Sequence, residues 1–542
     1  MDLNAPPPDD TELPAMVAAL IVRAASEDLG DRRAAIEAIY ELAYKVGPKV
    51  AGAIPTLMGG LLDADPKIGE SALWALGYCR PDSIEPLVEC LAQPQSFVRE
   101  RAAHALGNIG DQARAATPAL RRLLSDGEQA VRRRAAWAIG LMHDVEQATI
   151  APLVHLVSHG TVEDRRAALH ALRNIGQAAG DSALLEPHRS LILAALEDRD
   201  NEARRWALDV VASLAMEPQA AADLMASVVR REATGQVREA ALDHLKALAP
   251  TVDLAIEVTM LTALIDKPGR EASLACEILA LMRPAPVQAI ASLRQALNTD
   301  GLVLPAARSL WRIERRAEPL LPALERIFDG DGESVCDLIC EIGPAAAPLL
   351  PKLVQALAEE NWDLQWAAAD ALGAVASPDP HVMAALLDAL AHPSFIVRPA
   401  AARALARTGV PAVLALRGLI VNRSNQRAPW AAYALGHMGP AAAEALPDLR
   451  RGMRSREEPL SSCCAIAVAC IGCDAEAMPY LIGVLQSDDP GAPRREAASA
   501  LAQLGPAARG AIKSLAALLG DEDFEVHQAA EEALAAIRGN RH

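Results

Sequence analysis

The feature that most constrains this chain is a period. A proline stands near the opening of one apolar helix pattern after another, at Pro55, Pro86, Pro118, Pro152 and Pro187, about 31 to 35 residues apart. Proline is tolerated in a first helical turn because that N–H lacks an intrahelical partner in any case. After each short helix comes a polar turn, such as SDG at Ser125 or EDRDN at Glu197, and then a longer helix pattern that stops at glycine. Several stops read Gly-Pro, at Gly47, Gly343, Gly439 and Gly505. A left-handed glycine cap, followed by a residue that cannot continue the helix, is expected there. Apolar residues recur at helical spacing throughout, and no strand alternation survives.

The longer helix of each period cannot cover its own apolar face. In "SFVRERAAHALGNIG", Val98, Ala102, Ala105, Leu106 and Ile109 share one face at about 100° per residue. One helix pair cannot bury that face alone, so pairs are expected to stack and share a continuous seam. The pattern therefore predicts an all-α chain: an α-solenoid, or armadillo-like superhelix, of roughly sixteen stacked hairpins. It runs as one array over 13–542, behind a disordered acidic and Pro-rich tail at 1–12. Repeats around 266–343 and 411–475 are degraded: Pro305 falls inside an expected second helix, and DGDGE at Asp329 loosens a turn.

Composition limits what such an array does. The chain is 51 % hydrophobic but only 3 % aromatic, so its seam must be built from Ala, Leu, Val and Ile. A formal net charge of −18 over 542 residues repels phosphate backbones and disfavours nucleic acid as a partner. Nine cysteines, odd in number and scattered, make no disulfide framework and suggest a reducing compartment. The apolar run Ala15–Val22 is too short to span a bilayer and lacks signal-peptide flanks. A cytoplasmic protein without a membrane span is expected.

The paired helices, the Asp-rich turn and the second-helix pattern VRxxAAxALGxIG resemble HEAT repeats, in particular the short bacterial type found in phycobilisome-lyase-like proteins. The motif is clear at Val98-Arg99, Val131-Arg132, Val237-Arg238 and Val397-Arg398, partial at Arg165, Arg204 and Arg494, and absent near Leu302 and Leu460. The resemblance implies that the hairpins are of HEAT type and that second helices line a concave surface. It also implies an inter-repeat ladder of turn aspartates and second-helix arginines, which makes Asp126, Arg132, Asp198 and Arg204 structural. As an alternative function it raises lyase-type attachment of a bilin or other cofactor. Lesion binding, as in some HEAT-like DNA glycosylases, is a second alternative.

Chemistry is sparse. The sequence has no phosphate loop, nucleophile elbow or H-E-x-x-H, and no His is followed by Glu as a di-iron site would want. The cysteine group Cys463, Cys464, Cys470 and Cys473 is a poor four-sulfur zinc site: on a helix, Cys463 and Cys470 are separated by about 10.5 Å of rise. Tetrahedral zinc wants sulfurs roughly 4 Å apart, so these are read as packing residues. No catalytic residue, metal or cofactor is assigned, and the chain reads as non-catalytic.

One column of the second helices stands out. Measured from Val98, His104 lies about 240° around the helix, away from a buried set centred near 20°. The equivalent positions read Trp74, His104, Trp137 and His170, with Tyr78, Asn108 and Asn174 one turn on. Arg133, Arg134, Arg166 and Arg205 flank them, and the next repeats turn acidic at Asp209 and Asp243. Aromatic rings beside arginines are the composition of protein-binding hot spots. The chain is therefore expected to be an interaction scaffold holding a helix or extended segment of another protein on this stripe.

Overall fold

Each period of the sequence folds as a helical hairpin. The computed structural model describes residues 11–539 apart from 144, 181, 233–234, 423–425, 456, 473 and 488–492. Most of the expected tail and the Cys473 position thus lie outside the described residues; the first helix is Leu13–Ala24. Among the described residues there is no strand. The chain forms two compact units, Met1–Glu257 with Met282–Pro284, and Val258–Leu281 with Ala285–His542. Seven hairpins build the first and nine the second, which matches the count the period implies. The division falls beside the degraded stretch that begins near Asp266.

Within the first unit, second helices pack on the second helices of the next hairpins: Ser96–Ile109 on Gln129–Leu141, and that helix on Val162–Ala179. The seam residues Val98, Ala102, Ala105, Leu106 and Ile109 are all buried. Small residues set the spacing. A methyl group built on Gly140 would lie 2.8 Å from the Ala171 Cα, so glycine here is what lets two helix backbones approach.

Arginine ties the turns together. Arg99 donates to the Gln93 and Pro94 carbonyls of its own turn, both at 2.8 Å, and to the Asp126 carboxylate of the next, at 2.8 and 2.9 Å. Arg132 reaches the Asp126 carbonyl at 2.9 Å and Asp164 at 2.6 Å. Arg165 binds the Gly160 carbonyl and Asp198, and Arg204 binds the Asp198 carbonyl and Glu232. Asp126 and Arg132 therefore touch through a backbone carbonyl, while each carboxylate serves the arginine of the preceding repeat. The second unit repeats this rung at Arg494 and Asp521, 3.1 Å apart.

Several local expectations change. Pro152 lies inside Gln147–His159, and Pro187 lies in the short 3₁₀ segment Glu186–His188 before Arg189–Ala194. Of the five periodic prolines, Pro55, Pro86 and Pro118 sit in the opening turn of a short α-helix. Pro305 is the third residue of Val303–Glu314, where its missing N–H costs no helical bond. The DGDGE stretch is continuous with Leu321–Ile342 and breaks it only at Asp331 (φ −138°, ψ 38°). Gly-Pro stops are not left-handed helical caps: Gly439 has φ 60° and ψ −140°, an extended conformation open to glycine, and leads into the 3₁₀ segment Gly439–Ala445. By length and composition alone, Leu321–Ala356 is apolar enough to cross a membrane, which the sequence reading missed. It is broken at Asp331 and Gly343, and Leu338 and Ile339 are fully buried within the protein.

Two stability outcomes are expected in denaturant titrations of the first unit's transition. Leu106→Ala should cost about 2–5 kcal/mol, because a fully buried side chain leaves a cavity between stacked helices. Arg132→Met should cost about 3–5 kcal/mol, since the Asp164 carboxylate, whose side chain is 0 % exposed, loses the Arg132 cation and retains the Thr161 hydrogen bonds.

Candidate interaction surface

The stripe is built by register. Trp74, His104, Trp137 and His170 occupy equivalent positions on Pro66–Tyr78, Ser96–Ile109, Gln129–Leu141 and Val162–Ala179. Stacking converts that equivalence into ring contacts. Trp74 meets His104 edge-on with centroids 5.5 Å apart, and His104 meets Trp137 the same way at 5.1 Å. Trp74 is 37 % exposed, while His104, Trp137 and His170 are half-buried. Trp137 lies back over the preceding repeat, where a methyl on Gly107 would come within 2.4 Å of its ring. Gly107 is therefore the seat of the indole.

Burial, with the Arg134 charge beside it, pushes His104 down to about 4. His170 is lowered by burial and by Arg173. Near neutral pH both rings are uncharged and act as aromatic surface.

The row does not run unbroken. His170 pairs with Trp206, centroids 5.0 Å apart, on Asn201–Val211. Sequence reasoning passed over Trp206 because it followed one column, which reads Asp209 in that repeat. Trp206 stands three residues earlier, in the column of Arg101, Arg134 and Ala167, and that register was the available signal. Two guanidinium groups lie over its ring, Arg205 at 4.6 Å and Arg173 at 5.2 Å, and Arg134 lies 5.3 Å from the Trp137 centroid. Between Trp137 and Trp206 the surface dips into a depression of about 510 Å³ with Ala167 and His170 in its lining.

Not every expected residue belongs to this surface. Arg166 is already engaged: it donates to both Asp200 oxygens at 2.8 and 2.6 Å and lies 2.7 Å from Glu202. That hydrogen bond holds Asp200 down to about 2. Arg166 is thus part of the inter-repeat bracing. Tyr78 packs against Tyr44 and Tyr40 at 5.5 and 6.4 Å, in a cluster of its own. Asn108 and Asn174 are half-buried, with Asn108 Cβ beside Gly77 and Asn174 Nδ2 beside Gly140. These three were placed one turn along from the main column, and that offset turns them into neighbouring packing. Arg133, Arg134 and Arg205 make no ion pair with any described residue, and the Arg134 Nε is buried without a hydrogen-bond partner. The acidic continuation is braced too: Asp209 lies 3.3 Å from Arg173 and 2.9 Å from His244.

The second unit carries a row of its own. On Ala428–Met438, Trp430 meets Tyr433 at 5.5 Å and Tyr433 meets His437 at 4.4 Å, with Arg398 over Trp430 at 5.5 Å. A groove of about 790 Å³ opens beside them over Cys463 and Ile466. Burial pushes the Cys463 thiol up to about 12, which makes it inert. Cys463, Cys464 and Cys470 lie on one helix, Leu460–Gly472, and Cys464 fills the seam. Among the described residues, no three His, Cys, Asp or Glu side chains are grouped to hold a metal ion.

The fold is thus that of an all-α solenoid of HEAT-type hairpins. A family model for HEAT repeats matches residues 17–107, 54–123, 84–173 and 350–436, together just under half the chain, and its description carries no narrower subtype. No curated protein matches the chain in sequence. Among solved structures, yeast importin-β (Kap95p) superposes with a TM-score of 0.62 at 12 % identity, over 97 % of this chain and 84 % of that one. An importin-β crystallised from polyethylene glycol gives 0.60 at 14 % identity, over 98 % and 88 %. The Kap95:Nup1 complex gives 0.58 at 12 %, over 98 % and 84 %. At such identities these likenesses concern the fold.

Two outcomes follow from the ring packing. Gly107→Ala should displace the Trp137 indole, visible as a changed tryptophan emission maximum, and cost about 1–3 kcal/mol. For His104, the folded state binds its proton less readily than the unfolded chain. Its contribution to stability is therefore present above pH ~6.5 and is lost as the pH falls towards ~4. Thermal melts of His104→Phe should show a smaller loss between pH 7 and pH 4.5 than wild type.

Proposed function

We propose that this protein is a non-catalytic interaction scaffold, with a partner protein's helix or extended segment lying along the second-helix stripe of the first unit. One observation carries the reading. Half-exposed aromatic rings stand in register beside Arg133, Arg134 and Arg205, which pair with no carboxylate of the described chain. Arg134 and Arg205 lie over Trp137 and Trp206 and so keep charge beside apolar rings, an arrangement that a partner supplying carboxylates and apolar surface would use. The broad register of stacked helices suits an elongated ligand.

Fold analogy supports the same reading. Kap95p, of similar architecture, has been solved with RanGDP and with Nup1. The analogy extends to stacked hairpins holding another protein and names no partner for this chain. A cytoplasmic setting is part of the proposal, supported by the free thiols among the described residues. Bilin attachment and lesion binding rest on the sequence resemblance alone, and nothing in the stripe favours either over a protein segment.

Reversing two charges tests the proposal. Arg133→Glu with Arg205→Glu should cost no more than about 1 kcal/mol, the loss of the Arg205 contact with the Trp206 ring, since neither arginine holds an ion pair. Cross-linked capture of partners by the variant should fall at least about tenfold relative to wild type. Equal recovery of the same partners by both proteins would reject the stripe as the binding surface.

A further inference from the structure

The break in the aromatic row has a cause in one residue, and that cause says what fills it. In the column that begins at Arg101, consecutive second helices read Arg101, Arg134, Ala167 and Trp206. A long side chain in this column can reach sideways over the preceding repeat. Arg101 shows this directly. Its guanidinium covers Gly69, 2.1 Å from where a methyl would sit, and donates to the Leu61 and Asp63 carbonyls at 2.8 Å. Trp206 likewise meets His170 of the preceding second helix, while Arg134 lies over Trp137 of its own helix. Ala167 has only a methyl in this column, and a depression of about 510 Å³ lies beside it, lined by both indoles.

We propose that this notch receives a single aromatic side chain from an acidic segment of a partner protein. The inference rests on the stripe being a protein-binding surface and adds the chemistry of its occupant. Trp137, Trp206 and His170 offer ring faces and edges to an inserted ring. The Ala167 methyl forms an apolar floor, and the volume falls within the range of about 300–1,000 Å³ typical of ligand clefts. At the edge of the notch, Arg133 and Arg134 hold no ion pair with a described residue, Arg134 feeling the Glu100 carboxylate only at longer range, and Arg166 is already neutralised by Asp200 and Glu202. Glu163 is the one acid of the rim, and it accepts from Gln129 at 2.7 Å. The unsatisfied charge at the rim is therefore positive, and acidic residues on either side of the ring complement it.

The experiment uses two fluorescein-labelled peptides, EEDEFEDEE and EEDEAEDEE, titrated into the full chain by anisotropy at low and moderate salt. The Phe peptide should bind at least about tenfold more tightly than the Ala peptide. Ala167→Met fills the notch with a chain as long as an arginine stem and adds no charge. Neighbouring helices carry arginine at this position, so the variant is expected to fold, and a melting curve verifies it. In Ala167→Met the two peptides should bind within about twofold of each other. Equal binding of both peptides to wild type, or a Phe preference that survives Ala167→Met, overturns the notch. So does the failure of both peptides to bind, or a labelled DNA duplex that competes with the same sensitivity to Ala167→Met. The charge-reversed Arg133→Glu, Arg205→Glu protein separates the two levels. Unchanged partner capture there refutes the stripe itself, whereas lost capture without a Phe preference refutes only the notch.

Discussion

Everything in this structure depends on how closely one second helix can lie against the next. Leucine, isoleucine and valine supply the apolar area, but alanine and glycine set the distance: Gly140 admits the backbone at Ala171, and Gly373 admits the backbone at Ala404 in the second unit. Apolar burial of about 25 cal/mol per Å² is captured only where water is excluded, and small residues at the crossing make that exclusion complete. The same closeness brings positions in register within ring-contact distance. The Trp74–His104–Trp137 row is a by-product of seam geometry that places chemistry on a face the seam does not use.

Much of this was legible because a repeated pattern averages out local ambiguity. The hairpins and the seam residues of Ser96–Ile109 follow from period and amphipathicity, which report burial directly, whereas the bracing arginines were implied by the resemblance to HEAT repeats. Particular prolines were less legible, because a period does not say where a helix starts. Pro152 lies within a helix that begins one turn earlier than its neighbours do, and Pro187 belongs to a 3₁₀ lead-in. The division of the chain beyond Glu257 is a matter of contact density, which one helix's pattern does not encode.

The ring row was legible only in part, for a physical reason. Following one column found Trp74, His104, Trp137 and His170 but missed Trp206, which reaches His170 from a different register position. Counting arginines by position could not distinguish a cation that braces the stack from one that does not. Arg166 finds Asp200 across the joint, whereas Arg133, one repeat earlier, finds no acid. Only the placement of carboxylates on the neighbouring turn separates the two, and that is a three-dimensional fact.

The arginine rungs carry one more consequence, for how such a chain can change in length. Arg99, Arg132, Arg165 and Arg204 each hold a carbonyl in their own turn and a carboxylate of the hairpin that follows. The linkage runs in the same direction at each of these joints, with Asp126, Asp164, Asp198 and Glu232 as successive acceptors. Duplicating or excising a whole period restores every link, whereas adding a few residues between Arg132 and Asp164 uncouples one turn from its predecessor. Growth by complete modules is therefore the path of least mechanical disturbance, and the surface features that ride on them can diverge while the fastening stays the same.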